Sequence, residues 1–328
     1  MIIALFSLAL AQQVRVQVDP QLAAQAGVDP DEIQQAIADK VDGTLHIEGH
    51  EEFLTRMANA NALSTKGMGV DYASNPQRFV VGASFGSSEN GIAPSLTWGP
   101  EQLPEGGYSV QLSLMAALNL GFLSGDQSAL RRFVLSVNGM ALKGKTGVFE
   151  AEMQNLGAHL QFKMIRPPHK GIVEWGGLDL TTGYELSNYH LRLSQTMPVE
   201  AEGVRWDASG QFTLESNAST VPIELSTNVR LSVIGLYGGL GWDFRLGGSR
   251  STTDLSLGGP LELRYQGKQQ RLGRVDASMV THGLATDYSA RVFTGVQANI
   301  FMVKVYGQLN WGPLDKSFGG HLGLRVAL

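Results

Sequence analysis

Residues 108–122 read YSVQLSLMAALNLGF, and the fold follows from that stretch. Tyr108, Val110, Leu112, Leu114, Ala116, Leu118, Leu120 and Phe122 are apolar, while Ser109, Gln111, Ser113 and Asn119 stand between them. Alternation of this kind gives a strand one apolar face and one polar face. Length then decides the kind of strand. Globular strands run to about five or six residues, and this one continues for about thirteen to fifteen. At roughly 3.3 Å per residue, thirteen residues reach about 43 Å, and a tilt of about 45° brings the vertical reach to about 30 Å, a bilayer's hydrocarbon thickness. With the apolar face toward lipid, Tyr108 and Phe122 fall at its two ends, where transmembrane barrels carry aromatic girdles.

The habit extends along the chain. Val221, Ile223, Leu225, Val229, Leu231 and Val233 stand opposite Glu224, Ser226, Asn228, Arg230 and Ser232. Segments 78–86, 131–142, 148–165, 172–193, 204–214, 235–246, 254–265, 271–282, 288–301, 303–311 and 318–328 share the period of two. The expected fold is all-β, an antiparallel transmembrane β-barrel over residues 71–328 with about twelve strands, ten or fourteen being the alternatives. The apolar parity slips between Leu186 and Tyr189, and again between Leu214 and Val221. Such slips predict bulges in two very long strands, or turns that create an extra hairpin. The polar stretch 253–282 reads either as barrel wall or as an extracellular hairpin. Residues 236–242 (LYGGLGW) and 305–311 (VYGQLNW) are a partial repeat, read as two equivalent hairpins.

Ahead of the barrel the period is different. Residues 1–11 are apolar and end in Ala9-Leu10-Ala11, the small-x-small form of a secretory signal cleaved before Gln12, although no Lys or Arg precedes the run. In residues 12–70, Val14, Val16 and Val18 predict a short strand. Asp29 then caps a helix over 30–41, with Pro30 in its first position and Ile33, Ala36, Ile37 and Val41 on one face. A second helix is expected over 51–63. This segment is too short and polar for a large core of its own, so it is either a periplasmic appendage or a plug in the barrel mouth.

Composition agrees. Charged residues are 17% of the chain, against roughly 25% in soluble proteins. The 40 glycines in 328 residues are about 12%, against roughly 7% on average. With no cysteine, disulfides, thiolate metal sites and cysteine nucleophiles are excluded. A net charge of −5 gives no basic footprint for nucleic acid. No run approaches the eighteen apolar residues of a membrane helix.

The chain ends in His321-Leu322-Gly323-Leu324-Arg325-Val326-Ala327-Leu328. It resembles the C-terminal signal of bacterial outer-membrane barrels: a polar residue, glycine two places on, then hydrophobic residues at the third-last and last places. His321, Gly323, Val326 and Leu328 fill those places, although Leu328 stands where the family most often has an aromatic residue. The resemblance implies a Gram-negative outer membrane reached through the periplasm, with outer-membrane lipid and the barrel-assembly machinery as partners. In overall arrangement alone, the chain is similar to the long-chain fatty-acid transporter barrels that carry an N-terminal helical hatch.

If apolar residues face lipid, parity places Glu150, Glu152, His159, Lys163, Asp179, Glu185, Glu224, Arg230, Asp243, Arg245, Arg274, Asp276, Arg291, Lys304, His321 and Arg325 in the lumen. Acids and bases are near balance there. The set reads as a salt-bridged, partly occluded interior, or as a constriction of opposed charges that orients a polar solute. For catalysis, His190 and Ser194 share a face but lie about 13 Å apart, too far for a hydrogen bond. No other His has a hydroxyl two places away on its own strand, and no enzymatic role is expected. His46 and His50, with Glu48, Glu51 and Glu52 nearby, read as a solvated loop before a metal site. No phosphate loop or dinucleotide fingerprint is present, so neither cofactor nor metal is expected. The leading expectation is a channel or transporter for small or hydrophobic solutes. Its rivals are a non-conducting structural or adhesive barrel meeting periplasmic or extracellular proteins, and a lipid-modifying enzyme.

Overall fold

A computed structural model describes residues 11–26, 29–45, 49–73, 79–91, 106–123, 128–167, 173–201, 204–265 and 268–327. Ten antiparallel strands close a ring. In ring order they are β2 (Phe79–Gly91), β3 (Gly106–Asn119), β4 (Phe133–Thr146), β5 (Phe149–Ile165), β6 (Val173–Ala201), β7 (Val204–Leu231), β8 (Ile234–Arg245), β11 (Tyr288–Ile300), β12 (Val303–Gly312) and β13 (Ser317–Ala327). β13 pairs with β2, from Ser317↔Asn90 to Ala327↔Val80. β7 pairs with β8, from Thr220↔Arg245 to Leu231↔Ile234. Three further strands, β1 (Ala11–Val18), β9 (Arg250–Tyr265) and β10 (Lys268–Leu284), belong to the same sheet but lie outside the ring. The barrel therefore has ten strands, the smaller of the two alternatives to twelve. The stretch 253–282 is not barrel wall.

Every ring strand carries large apolar side chains on its outer face. Phe85, Leu112, Leu135, Leu160, Leu180, Ile223, Leu240, Val292, Leu309 and Leu322, one from each strand, are all exposed. The inner face is polar and buried, with Ser84, Gln111, Ser113, Ser136, Asn138 and Asn155 among its residues. That is the reverse of a water-soluble domain, and it suits a wall whose outside solvent is hydrocarbon. Exposed aromatic residues mark both edges of the belt. Phe79, Trp175 and Phe301 lie toward the near rim, where β13 ends; Tyr108, Tyr288, Trp311 and Phe318 lie toward the far rim. Among the described residues no helix is long and apolar enough to cross a membrane, so strands do the crossing.

β6 and β7 rise well beyond the rest of the wall, and here the two parity slips are explained. The strands keep one register from Leu178↔Thr227 up to Ala201↔Val204, and their one irregularity lies at Trp175/Gly177, far below the slips. Neither a bulge nor a turn occurs where they were expected. The surroundings change instead. Low on the strands Leu180, Tyr184 and Ile223 point outward to lipid. Higher up, Tyr189, Leu191, Phe212 and Leu214 point inward and form a small apolar core. Apolar side chains swap faces because lipid lies outside at one level and water at the next.

β7 also divides its edge. Residues 220–231 pair with β8 inside the ring, while residues 204–217 pair with β9, from Asn217↔Arg250 to Val204↔Leu263. β10 and then β1 follow, so a four-strand extension flares from the far rim. Its inner face carries Trp206, Leu257, Leu261, Leu272, Val275 and Met279, packed against Ala23 of helix α1 (Pro20–Ala26) and Ile33 and Ile37 of helix α2 (Pro30–Leu45). The Asp29 carboxylate accepts from the Asp31 amide at 2.9 Å, which starts α2 where the sequence placed its cap. α1 was not foreseen, since seven residues give too few turns for a helical period to register. Residues 1–10, most of the expected signal segment, lie outside the described residues.

Candidate functional site

Helix α3 (His50–Ser64) enters the barrel from the far rim. Two glycines make this entry sterically available. A Cβ on Gly107 of β3 would sit 2.1 Å from the Arg56 backbone, and one on Gly283 of β10 would sit 2.2 Å from the Thr55 backbone. The helix is thus clamped between the wall and the extension. His50 packs against Thr253 of β9, with Nε2 and Oγ1 2.7 Å apart. Burial lowers its pKa from 6.5 and favours the neutral ring, partly opposed by the charge of Glu51.

Below α3 the chain runs down through the lumen. Every residue from 57 to 73 is buried. Asn61 donates to the carbonyls of Ser187 and Ser216 at 3.2 and 3.1 Å, and its Oδ1 accepts from Ser187 Oγ at 2.6 Å. Lys66 forms an ion pair with Glu185, which also accepts from Thr65 at 3.1 Å and lies 3.5 Å from His159 Nε2. Gly67 and Gly69 have φ of 83° and 89°. Both need the left-handed region, and both abut wall amides, Gln308 and Asn138, leaving no space for a side chain. Asp71 pairs with Lys304 and Arg325 at 3.3 and 3.2 Å. Arg325 also donates to the Val70 carbonyl at 2.5 Å, and its guanidinium lies 3.7 Å from the centre of the Tyr306 ring. Tyr72 donates to Glu224 at 2.5 Å and packs between Tyr237 and Phe293, with ring centres 5.7 and 4.9 Å away. Glu224 in turn pairs with Arg291, which reaches Asp243 and Asn310, each at 2.9 Å. Ala73 ends the described run beside Gly235 at the near rim.

The structure sorts the sixteen parity-placed residues. His159, Lys163, Asp179, Glu185, Glu224, Asp243, Arg291, Lys304, His321 and Arg325 are buried and face the lumen. Lys163 lies 3.6 Å from Asp179. Arg245 caps the far mouth, bonded to Asn59 at 2.7 Å and paired with Asp315 at 3.0 Å. Arg230 pairs with Glu174 at 3.0 Å near the other rim, half-exposed. Four residues are misplaced. Glu150 and Glu152 lie on the outer face of β5, because Asn155, His159 and Lys163 take the inward positions of an unbroken register with β4. Arg274 and Asp276 are on β10, outside the ring, and bond to each other at 2.9 Å on a solvated sheet. Of the assembly signal, His321 faces the lumen and Gly323 lies under the Tyr306 ring, where a Cβ would meet it at 2.3 Å. Leu328 lies outside the described residues.

Sequence reasoning missed the plug's own Asn61, Lys66, Asp71 and Tyr72. Their signal is faint: lone charges in the small-residue run 57–73, punctuated by Gly67 and Gly69. His46 lies outside the described residues, and His190 points to the outer surface beside Glu215 at 3.1 Å. Ser136 is paired in register with His159, but the nearest ionic partner of that ring is Glu185, and both face the plug.

Fold and lumen together define a transmembrane β-barrel threaded by its own N-terminal segment. The chain belongs to the Lsa36-like family, which it matches over residues 11–328. No curated protein matches it. Among solved structures it is similar to the CymD monoaromatic hydrocarbon channel, at 9% identity and a TM-score of 0.28, over 83% of this chain and 98% of that one. It is also similar to the translocator domain of the autotransporter NalP from Neisseria meningitidis, at 10% identity and 0.29, over 78% and 90%. Ail of Yersinia pestis aligns at 10% identity and 0.21, over 76% and 97%. Scores this low carry no argument, and the barrel stands on its own hydrogen-bond register.

Proposed function

We propose that this chain is a non-conducting outer-membrane barrel that holds its four-strand extension and helices α1 and α2 at the cell surface for an external partner. The observation that carries this reading is the filled lumen. Withdrawing residues 57–73 would strip Met57, Leu63, Met68, Val70 and Tyr72 of their packing. At about 2 kcal/mol each the cost is on the order of 10 kcal/mol, so an empty lumen is rarer than about one molecule in 10⁶. Sidedness follows from the C-terminal strand. If β13 ends at the periplasmic rim, as the assembly-signal resemblance implies, then β1, β9 and β10 stand outside. The reading assigns the chain no catalytic step.

A second reading, a channel for small or hydrophobic solutes opened by movement of the plug, is favoured by the polar inner wall. Ser84, Gln111, Ser113 and Asn138 would hydrate readily once uncovered. One pair of measurements separates the two. The chain has no cysteine, so single cysteines at Arg15 and Val233 report each rim through a membrane-impermeant maleimide. Display predicts labelling of R15C on intact cells and of V233C only after permeabilisation; the opposite pattern overturns it. Planar-bilayer recordings of the folded full chain should be silent, with steps appearing on deletion of residues 11–73. Steps from the intact chain would favour the channel.

A further inference from the structure

The outer face of β4–β7 carries three cross-strand rows of polar residues directly above the lipid belt. The uppermost row is Lys145↔Glu150↔Arg192. Below it runs Lys143↔Glu152↔His190↔Glu215. The lowest is an amide row, Gln154↔Asn188↔Asn217. One residue pair further down, Leu156↔Leu186 is already part of the belt. The rows enclose a concave site of about 430 Å³, within the range of roughly 300–1,000 Å³ usual for small-molecule pockets.

From this arrangement we infer a binding site for the sugar headgroup of a glycolipid. Charge selects the ligand class. Lys143, Lys145 and Arg192 are balanced by Glu150, Glu152 and Glu215, and the acids are already engaged, Lys143 with Glu150 at 2.9 Å and His190 with Glu215 at 3.1 Å. A site without surplus positive charge gives a phosphate little advantage. Planar amides, carboxylates and a guanidinium, about 4.8 Å apart along each row and about 6.6 Å from row to row, suit sugar hydroxyls, which both donate and accept. Arg192 lines the site, and its Nε has no hydrogen-bond partner among the described residues. Continuity with the belt selects the tether: a sugar in these rows has its acyl chains alongside Leu156, Leu160 and Ile223, which are already lipid-facing. On the inner side of the same strands Tyr189 and Leu191 pack on α3, so the face is held rigid from behind.

The test is lipid retention by the folded full chain in native mass spectrometry, with diglucosyl diacylglycerol, phosphatidylglycerol and free maltose as probes. The expected result is at least tenfold preferential retention of the glycolipid, lost in Q154L/N188L and weakened in R192Q, with heat-modifiable migration on gels confirming that the variants fold. Equal or better retention of phosphatidylglycerol by the wild type overturns the proposal, and needs no variant. Undiminished retention in a folded Q154L/N188L protein overturns the site, and maltose bound as well as the glycolipid overturns the lipid tether.

Discussion

Glu185→Gln tests the plug most directly. The Glu185 carboxylate is 2% exposed and its partner Lys66 is 1% exposed. The substitution keeps the shape of the side chain and strands the Lys66 ammonium, leaving a buried charge without its counter-charge. Removing one partner of a buried pair costs about 3–5 kcal/mol, most of it the penalty on the charge left behind. Local opening of the plug relieves that penalty by letting water reach Lys66. The open population should therefore rise by about two to three and a half decades. Ser64 is fully buried, and Ser64→Cys in this cysteine-free chain gives a reporter whose maleimide labelling tracks opening. E185Q should speed labelling on the order of 10² to 10³-fold. K66M/E185Q, which removes both charges, should return most of the way to the S64C background, because an apolar replacement of a buried pair is often neutral. Unchanged labelling in E185Q would refute the argument, and a double variant as open as the single would show that charge is not the cause.

Arg291→Met should destabilise the folded barrel more than E185Q in urea unfolding, since it strands Glu224 and Asp243 together; an equal or smaller loss would contradict the network. Gly107→Val should expel α3, because its Cβ falls within 2.1 Å of helix backbone, and hydrogen exchange across α3 should then lose its protection. Below pH about 6.5 the unfolded ring of His50 gains a proton that the folded site resists, so stability is intact above that pH and is lost as pH falls through and beneath it. Exchange of α3 amides should quicken between pH 7 and pH 5 in the wild type and less so in H50Q.

The barrel was legible in the sequence because lipid enforces period two over whole strands, as residues 108–122 display. Ten lumenal ionisable residues were legible for the same reason: parity alone turns His159, Lys163 and Asp179 inward. What stayed hidden depended on where the membrane ends. Glu150 and Glu152 were assigned to the lumen because polar was equated with inward, a rule that holds only at the level of the belt. The parity slip at 186–189 recorded that limit, although a bulge would leave the same trace. The choice of twelve strands over the alternative of ten has a related cause. β9 and β10 alternate like wall strands, yet their apolar face is covered by α1 and α2 and not by lipid. Nothing in the linear pattern says which apolar surface a strand meets. Lys66 and Asp71 were missed because they sit in no periodic element at all.

The chain passes through the lumen in line with everything else, and that has a mechanical consequence. β2 begins at the near rim with Phe79, while the folded layer of β1, α1 and α2 sits beyond the far rim. The plug is therefore a cord fixed at one end and knotted at the other. No rearrangement of α3 can clear the bore unless the knot first comes undone, so even a loosened barrel keeps a length of its own polypeptide inside. A pull from the near side would meet resistance set by the unfolding of residues 11–45, and a pull from the far side by the hold of β2 on β13. The two forces should differ, and their ratio would measure how firmly the outer layer is tied.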